Sequence, residues 1–384
     1  MKKNFRSTSL TCLAAFATIS LFASFSMFTS CSKKAQLRPV NIQPLVYQND
    51  NVTAEVDPKL ELLMIALRLA EVEPFSSNYY GSDYSQYLDG VDKLFQKQKE
   101  HPLVKELKGR CKNYKKSYAP VLQMSRYISE DMTKINIKSK ELPEEMQDFW
   151  KGVNLKSFIV QFNDFAVSSN FERLWLVYLP QLKNQAISVQ EYYRYNQKVT
   201  DWISSYYFDK NHKPEYKLHS TITSGGVAFL PSPIYEGDKV IFQVLAPAYF
   251  TKDYEWNPIQ DAINYSACLI FYLIKKNWEL LSADATRIIE DIYSKNQLTE
   301  KVTKDVVQSQ LVTTIALACL FDFDKIKENE EFRTSLYNAI TTQLLIQDPD
   351  KVIGLAEHYQ NNRDQYPDFA SFVANYLPGA LKDF

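Results

Sequence analysis

Histidine is scarce in this chain. Four occur in 384 residues, at His101, His212, His219 and His358, and no two stand at a metal-ligand spacing. Glycine is scarce as well: nine residues argue against a turn-rich sandwich or barrel. The absence of a Gly-rich strand–turn–helix excludes a P-loop or a dinucleotide fingerprint. No G-x-S-x-G elbow is present. The five cysteines show no CxxC spacing and set up no disulfide framework, although one bridge among Cys111, Cys268 and Cys319 is open. Cys268 and Cys319 lie in apolar helical runs, where buried thiols are expected. There is no surplus of positive charge: 44 basic residues face 45 acidic ones, and Lys2, Lys3 and Arg6 belong to the first thirty residues. The mature part is therefore mildly acidic, which excludes the basic surface that nucleic acid requires. The carboxylate pairs Glu144/Glu145, Glu290/Asp291 and Asp322/Asp324 suit solvated helix faces better than the paired acids of glycan hydrolysis.

What is present supports a packed core. Hydrophobic residues make up 45% and charged residues 23% of the chain, the balance of a globular protein. Aromatics reach 14%, with 25 tyrosines, and read as an aromatic-rich interior.

The N-terminus has its own pattern. Met1 to Arg6 is basic, and Leu10 to Phe28 is an apolar run broken by Thr and Ser. It closes with Phe28-Thr29-Ser30-Cys31. This resembles a bacterial lipoprotein signal, in which residues 1–30 are removed and Cys31 is lipidated. The alternative is an uncleaved anchor, because the run approaches the ~20 residues that span a bilayer. Either places residues 32–384 outside the cytoplasm. Ser32, Lys33 and Lys34 imply an outer-membrane lipoprotein facing the periplasm. Residues 31–54, with Pro39 and Pro44 and little periodicity, read as a tether.

Beyond the tether, residues 55–384 read as a single, mainly helical domain. Val56–Glu73 carries an apolar face (Leu60, Leu63, Ile65, Leu67, Leu69) and stops at Pro74. Helical stripes follow at Ser85–Glu100, Leu103–Cys111, Tyr118–Met132, Leu142–Lys151, Lys156–Val167, Asn170–Leu182 and Ile187–Phe208. Thr133–Lys138 alternates as a short strand. Two strands are expected at Lys217–Ser224, ending at Gly225-Gly226, and at Lys239–Leu245, with a turn at Pro231–Asp238 between them. Helices resume at Pro258–Leu281, Ala283–Ser294, Thr299–Asp322, Asn329–Leu345, Asp350–Asn361 and Pro367–Tyr376. The fold class is α+β, mainly helical, with a small antiparallel sheet. His101 beside Pro102 reads as a helix-end residue.

The order of these elements, with Tyr87-Leu88-Asp89-Gly90-Val91-Asp92-Lys93-Leu94-Phe95, His101-Pro102-Leu103-Val104, Phe162-Asn163-Asp164-Phe165, Asn170-Phe171-Glu172 and Gly225-Gly226, resembles a family of Gram-negative lipoproteins and secreted proteins that look like zincin metallopeptidases. The resemblance implies a zincin-like core at about residues 150–320 and an active-site helix after the sheet. In that helix the HExxH positions hold Gln260, Asp261 and Asn264. Amide oxygens are weak zinc ligands beside imidazole, and Asp261 lacks an activated water to work on. The expectation is therefore no catalytic residue, no metal and no cofactor. Asn257 as N-cap, Pro258 in the first turn, Gln260 in a capping box and Asp261 at the positive helix end explain the same residues structurally. The partners implied are the membrane, through Cys31, and a peptide or protein ligand paired along an edge strand at Lys239–Leu245. An active hydrolase with another site and a purely structural helical lipoprotein are the alternatives.

Overall fold

The computed structural model describes residues 37–49, 52–73, 75–76, 82–113, 118–195, 197–209, 214–223, 234–236, 239–247 and 258–384. Residues 1–36 with Cys31, and also His212, Gly225-Gly226, Pro231 and Asn257, lie outside them.

The described residues are mainly helical and include a small mixed sheet of five strands, in the order β1-β2-β3-β5-β4. The strands are β1 (Leu45–Asn49), β2 (Val52–Val56), β3 (Glu215–Thr221), β4 (Ile234–Glu236) and β5 (Lys239–Pro247). The helices of seven residues or more are α1 (Pro58–Leu69), α2 (Ser82–Phe95), α3 (Pro102–Asn113), α4 (Glu144–Trp150), α5 (Leu155–Ser168), α6 (Phe171–Tyr195), α7 (Gln197–Tyr207), α8 (Pro258–Lys276), α9 (Trp278–Lys295), α10 (Lys304–Cys319), α11 (Glu330–Asn338), α12 (Pro349–Asn361) and α13 (Phe369–Asn375).

Two features of the sheet correct the sequence reading. The expected antiparallel sheet is mixed: β2–β3 and β3–β5 are parallel, while β1–β2 and β4–β5 are antiparallel. The cause lies in the segment read as a turn. It contains β4, which reverses the chain once more, so β5 returns beside β3 in the same direction. The second correction concerns the tether. From Val40 onward it is docked, with Val40 and Ile42 buried, and its second half forms the β1–β2 hairpin. Arg38 and Asn163 exchange two hydrogen bonds, Arg38 N–H to Oδ1 at 3.0 Å and Nδ2–H to Arg38 O at 2.7 Å. Asn41 N–H donates to Glu172 Oε1 at 2.7 Å. The alternating stretch at Thr133–Lys138 forms only an isolated bridge, between Ile128 and Ile135.

The sheet separates two hydrophobic clusters. One is built on residues 40–182 with Ile222, the other on Val52, Ala54 and residues 199–381. The first is organised around α1, whose twelve residues are all buried. Most of its residues are apolar, as suits a helix inside a core, and its charged residues Lys59, Glu61 and Arg68 are bonded to Glu130, Tyr87 and Asp92. Asp57 caps it by accepting Lys59 N–H, and Pro58 occupies its first turn, where a missing N–H costs nothing. In the second cluster α8 and α10 pack together, and Tyr206, Tyr207, Tyr359, Phe369 and Phe372 form a network of edge-to-face and tilted rings.

Candidate functional site

Glu55-Val56-Asp57-Pro58-Lys59-Leu60-Glu61 crosses from β2 into α1 with a charge at every second position. In β2 the strand alternation turns Glu55 away from Ala54 and Val56. The parallel register sets it opposite His219 of β3. On β3 the same alternation lines up Lys217, His219 and Thr221, and Thr223 follows two residues on. Glu55 Oε1 lies 3.0 Å from Lys217 Nζ and 3.0 Å from His219 Nδ1, and both Glu55 and His219 are buried. Burial by itself raises the Glu55 pKa. The hydrogen bond and charge of His219, together with Lys217, outweigh it and bring the carboxyl down to about 2. Asp57 behaves in the opposite way: burial raises its pKa against the pull of Lys59. Lys59 Nζ in turn reaches Glu130 Oε1 at 2.5 Å.

Glu61 sits one turn into α1 at 1% exposure. Its Oε1 accepts the Tyr87 hydroxyl at 2.8 Å and the Thr223 hydroxyl, and its Oε2 accepts the Thr221 hydroxyl at 2.8 Å. The Ile222 N–H is a fourth donor. Burial raises the Glu61 pKa, although all four donors favour the ionised form. This carboxyl joins α1, α2 and the end of β3 at one point.

The polar row is thus two buried clusters: the Glu55 carboxyl facing Lys217 and His219 as close charge partners at 3.0 Å, and the Glu61 carboxyl hydrogen-bonded to three hydroxyls. Thermodynamic linkage gives it a testable signature. Glu55 is held at about 2 against 4.5 in the free side chain. Its stabilisation is present above pH 4.5 and lost as pH falls toward 2. The shift corresponds to roughly 3 kcal/mol. Asp57 and Glu61 have raised values, so the native state holds their protons more tightly and stability falls as pH rises through their folded pKa values. Urea unfolding across pH is expected to show both limbs. Glu55→Gln should flatten the acid limb, and an acid limb of unchanged depth in that variant would rule out the assignment.

Two other places have the shape of a binding site. A cleft of about 220 Å³ opens between α9, α10 and α12, with Ile289, Leu311, Ile315 and Val352 in its wall. The C-terminal residues close over it. Arg287 Nη2 donates to Leu381 O at 3.0 Å, and Lys351 Nζ bonds Asp383 O while lying 4.9 Å from the Phe384 ring centre. The other place is the outer side of β5. β4 pairs only with Lys239, Val240 and Ile241. Among the described residues no strand lies beside Phe242–Pro247 on that side.

The residues singled out from the sequence fall partly outside the described residues. Positions 260, 261 and 264 are in the first two turns of α8. The side chains of Gln260 and Asp261 lie outside the described part of the structure, and Asn264 is half-buried. The expected edge strand Lys239–Leu245 is flanked by β3 on one side and, for its first three residues, by β4 on the other, which corrects its placement at the sheet edge. His101 does end a loop before α3: its Nδ1 accepts Leu103 N–H at 3.2 Å, and its Nε2 lies 3.1 Å from Asp164 Oδ2. His358 stacks on Tyr376 at 3.9 Å. Cys111, Cys268 and Cys319 are free thiols, and burial pushes Cys111 up to about 11 and Cys319 up to about 12. Among the described residues no group of three or more His, Cys, Asp or Glu side chains is placed to hold a metal ion. Sequence reasoning missed Glu55, Glu61, Lys217, Thr221 and Thr223. Their signal was the two-residue alternation of polar groups on both sides of the β2–α1 junction and along β3.

In comparison with known proteins, no family model, no curated protein and no solved structure matches this chain.

Proposed function

We propose that the chain is an envelope-anchored lipoprotein, facing the periplasm, that binds an extended peptide or protein segment without cleaving it. The observation that carries this reading is the short β4. It covers three residues of β5 and leaves Phe242–Pro247 without a neighbouring strand among the described residues. An open strand side presents main-chain donors and acceptors that an added strand satisfies. The zincin-like arrangement belongs to this proposal. α8 follows β5 in the chain, and its positions 260, 261 and 264 offer two amides and a carboxylate where a peptidase carries two imidazoles and a glutamate.

The test uses main-chain chemistry, because strand addition depends on alternate amides. Peptides selected from a random library on the purified chain are resynthesised with N-methyl groups at every second residue, in both registers. One register is expected to abolish binding and the other to preserve it. Equal tolerance of both registers would sink the strand-addition reading.

A further inference from the structure

The docked N-terminal segment leaves a short leash. Arg38 is fixed to Asn163 of α5 through both its backbone groups, and Asn41 is fixed to Glu172 at the start of α6. The stretch from Cys31 to Arg38 spans at most about 25 Å when fully extended. Acyl chains on Cys31 therefore hold the surface around Arg38 and the first turns of α6 close to the bilayer.

That surface has the composition of a membrane-facing one. One turn beyond Glu172, about 6 Å along the helix, stand Leu176 at 68% and Val177 at 61% exposure, the two most exposed large apolar side chains described. Pro180 is exposed too, and Ile187 is 43% exposed farther along the same helix. Residues 176, 180 and 187 recur at helical spacing and so share a face. The exposed charges one turn from them on α6 are Arg173 and Lys183. Glu172 is an acid in the same turn, and it already accepts the Asn41 N–H. Lys33 and Lys34 lie within the leash itself. Apolar side chains rimmed by cations suit the boundary between acyl chains and anionic headgroups. Among the described residues no helix is long and apolar enough to cross a membrane, so α6 would lie along the surface.

We propose that the face of α6 carrying Leu176, Val177 and Pro180 rests on the lipid surface and sets the orientation of the domain. This rests on the lipidated-anchor reading of Cys31. It adds that the domain sits directly on the bilayer, not at the end of a long flexible arm.

The test uses the full lipidated chain in vesicles of phosphatidylethanolamine and phosphatidylglycerol. Val177→Cys and Phe332→Cys are each labelled with an environment-sensitive dye, and the unsubstituted chain, treated identically, gives the background from Cys111, Cys268 and Cys319. Phe332 is 42% exposed and belongs to α11, in the second cluster. A quencher carried on the lipid tails is expected to remove most of the emission at position 177 and none at position 332. Flotation with the vesicles, and its loss in Cys31→Ala, checks the anchor separately. If the chain floats but position 177 is quenched no more than position 332, the orientation is wrong and the anchor stands. If the chain does not float, the anchor reading fails and the orientation fails with it.

Discussion

Glu61→Ala is expected to unfold the N-terminal cluster under conditions in which the unsubstituted chain is native. The substitution deletes the common acceptor of the Tyr87, Thr221 and Thr223 hydroxyls and of the Ile222 N–H. Each buried donor left without a partner costs about 1–3 kcal/mol, and the lost side-chain volume adds a cavity in a core with little room to relax. Hydroxyl groups can rotate toward other acceptors, so the full sum is not reached. A loss on the order of 5 kcal/mol remains, comparable to the entire stability of a typical domain at about 5–15 kcal/mol. Glu61→Gln keeps the shape and one acceptor oxygen but presents an NH2 group to donors. The hydroxyls can accept from it, so about 1–3 kcal/mol is expected. Tyr87→Phe removes one donor and leaves the carboxylate three others, and should cost about 1 kcal/mol. Urea denaturation followed by far-UV circular dichroism ranks the three variants. An alanine variant as stable as the glutamine variant would contradict the role assigned to Glu61.

The contrast between what was legible in the sequence and what was not follows from contact range. The apolar stripes of α5, α10 and α12 are local, and capping residues mark their starts: Asn154 accepts Lys156 N–H, Thr303 accepts Val306 N–H, and Asp348 accepts Lys351 N–H. The sequence pattern divides this region into two helices around residues 182–187, but α6 runs unbroken from Phe171 to Tyr195 with Pro180 inside it. Pro180 is exposed, so the carbonyl it deprives of an N–H can turn to water. At Asn277 the reverse occurred. The expected single helix Pro258–Leu281 breaks there, and Asn277 Nδ2 caps Leu273 O at 2.8 Å. The β1–β2 hairpin carries β-branched residues on both sides of Asn49–Asn51, a local signal, but the neighbouring prolines and lysines masked it. Parallel pairing is not local. No pattern within Val52–Val56 or Glu215–Thr221 specifies that they lie side by side, because the whole of α1–α7 stands between them. The Glu55–His219 pair and the Glu61 cluster depend on that pairing, so the alternation of polar residues was visible but its meaning was not.

The same long-range logic identifies a second critical residue. Arg363, just after α12, binds the C-terminal end of α7. Its Nη1 donates to Tyr206 O and, at 2.5 Å, to the Tyr359 hydroxyl; its Nη2 donates to Phe208 O and Pro367 O, both at 3.0 Å. The guanidinium lies 4.7 Å from the Tyr359 ring centre, and the Tyr359 hydroxyl donates to Tyr206 O at 2.8 Å. The last carbonyls of a helix lack intrahelical partners and carry the negative end of its dipole. A planar cation with several donors satisfies them in one step. Arg363→Ala removes these donors together, with the contact on Tyr359, and is expected to cost about 3 kcal/mol. Arg363→Lys restores a charge but not the fork, since a single ammonium cannot span acceptors on both α7 and the segment after α12, and should recover less than half of the loss. Because Tyr206 and Tyr207 pack on Phe369, the damage should spread to α13. Amide hydrogen exchange is expected to lose protection at the end of α7 and across α13 first, while α1 and α5 in the other cluster keep theirs. Uniform loss of protection across both clusters would instead mean that the sheet couples them into one cooperative unit, and that Arg363 stabilises the whole chain, not a single helix end.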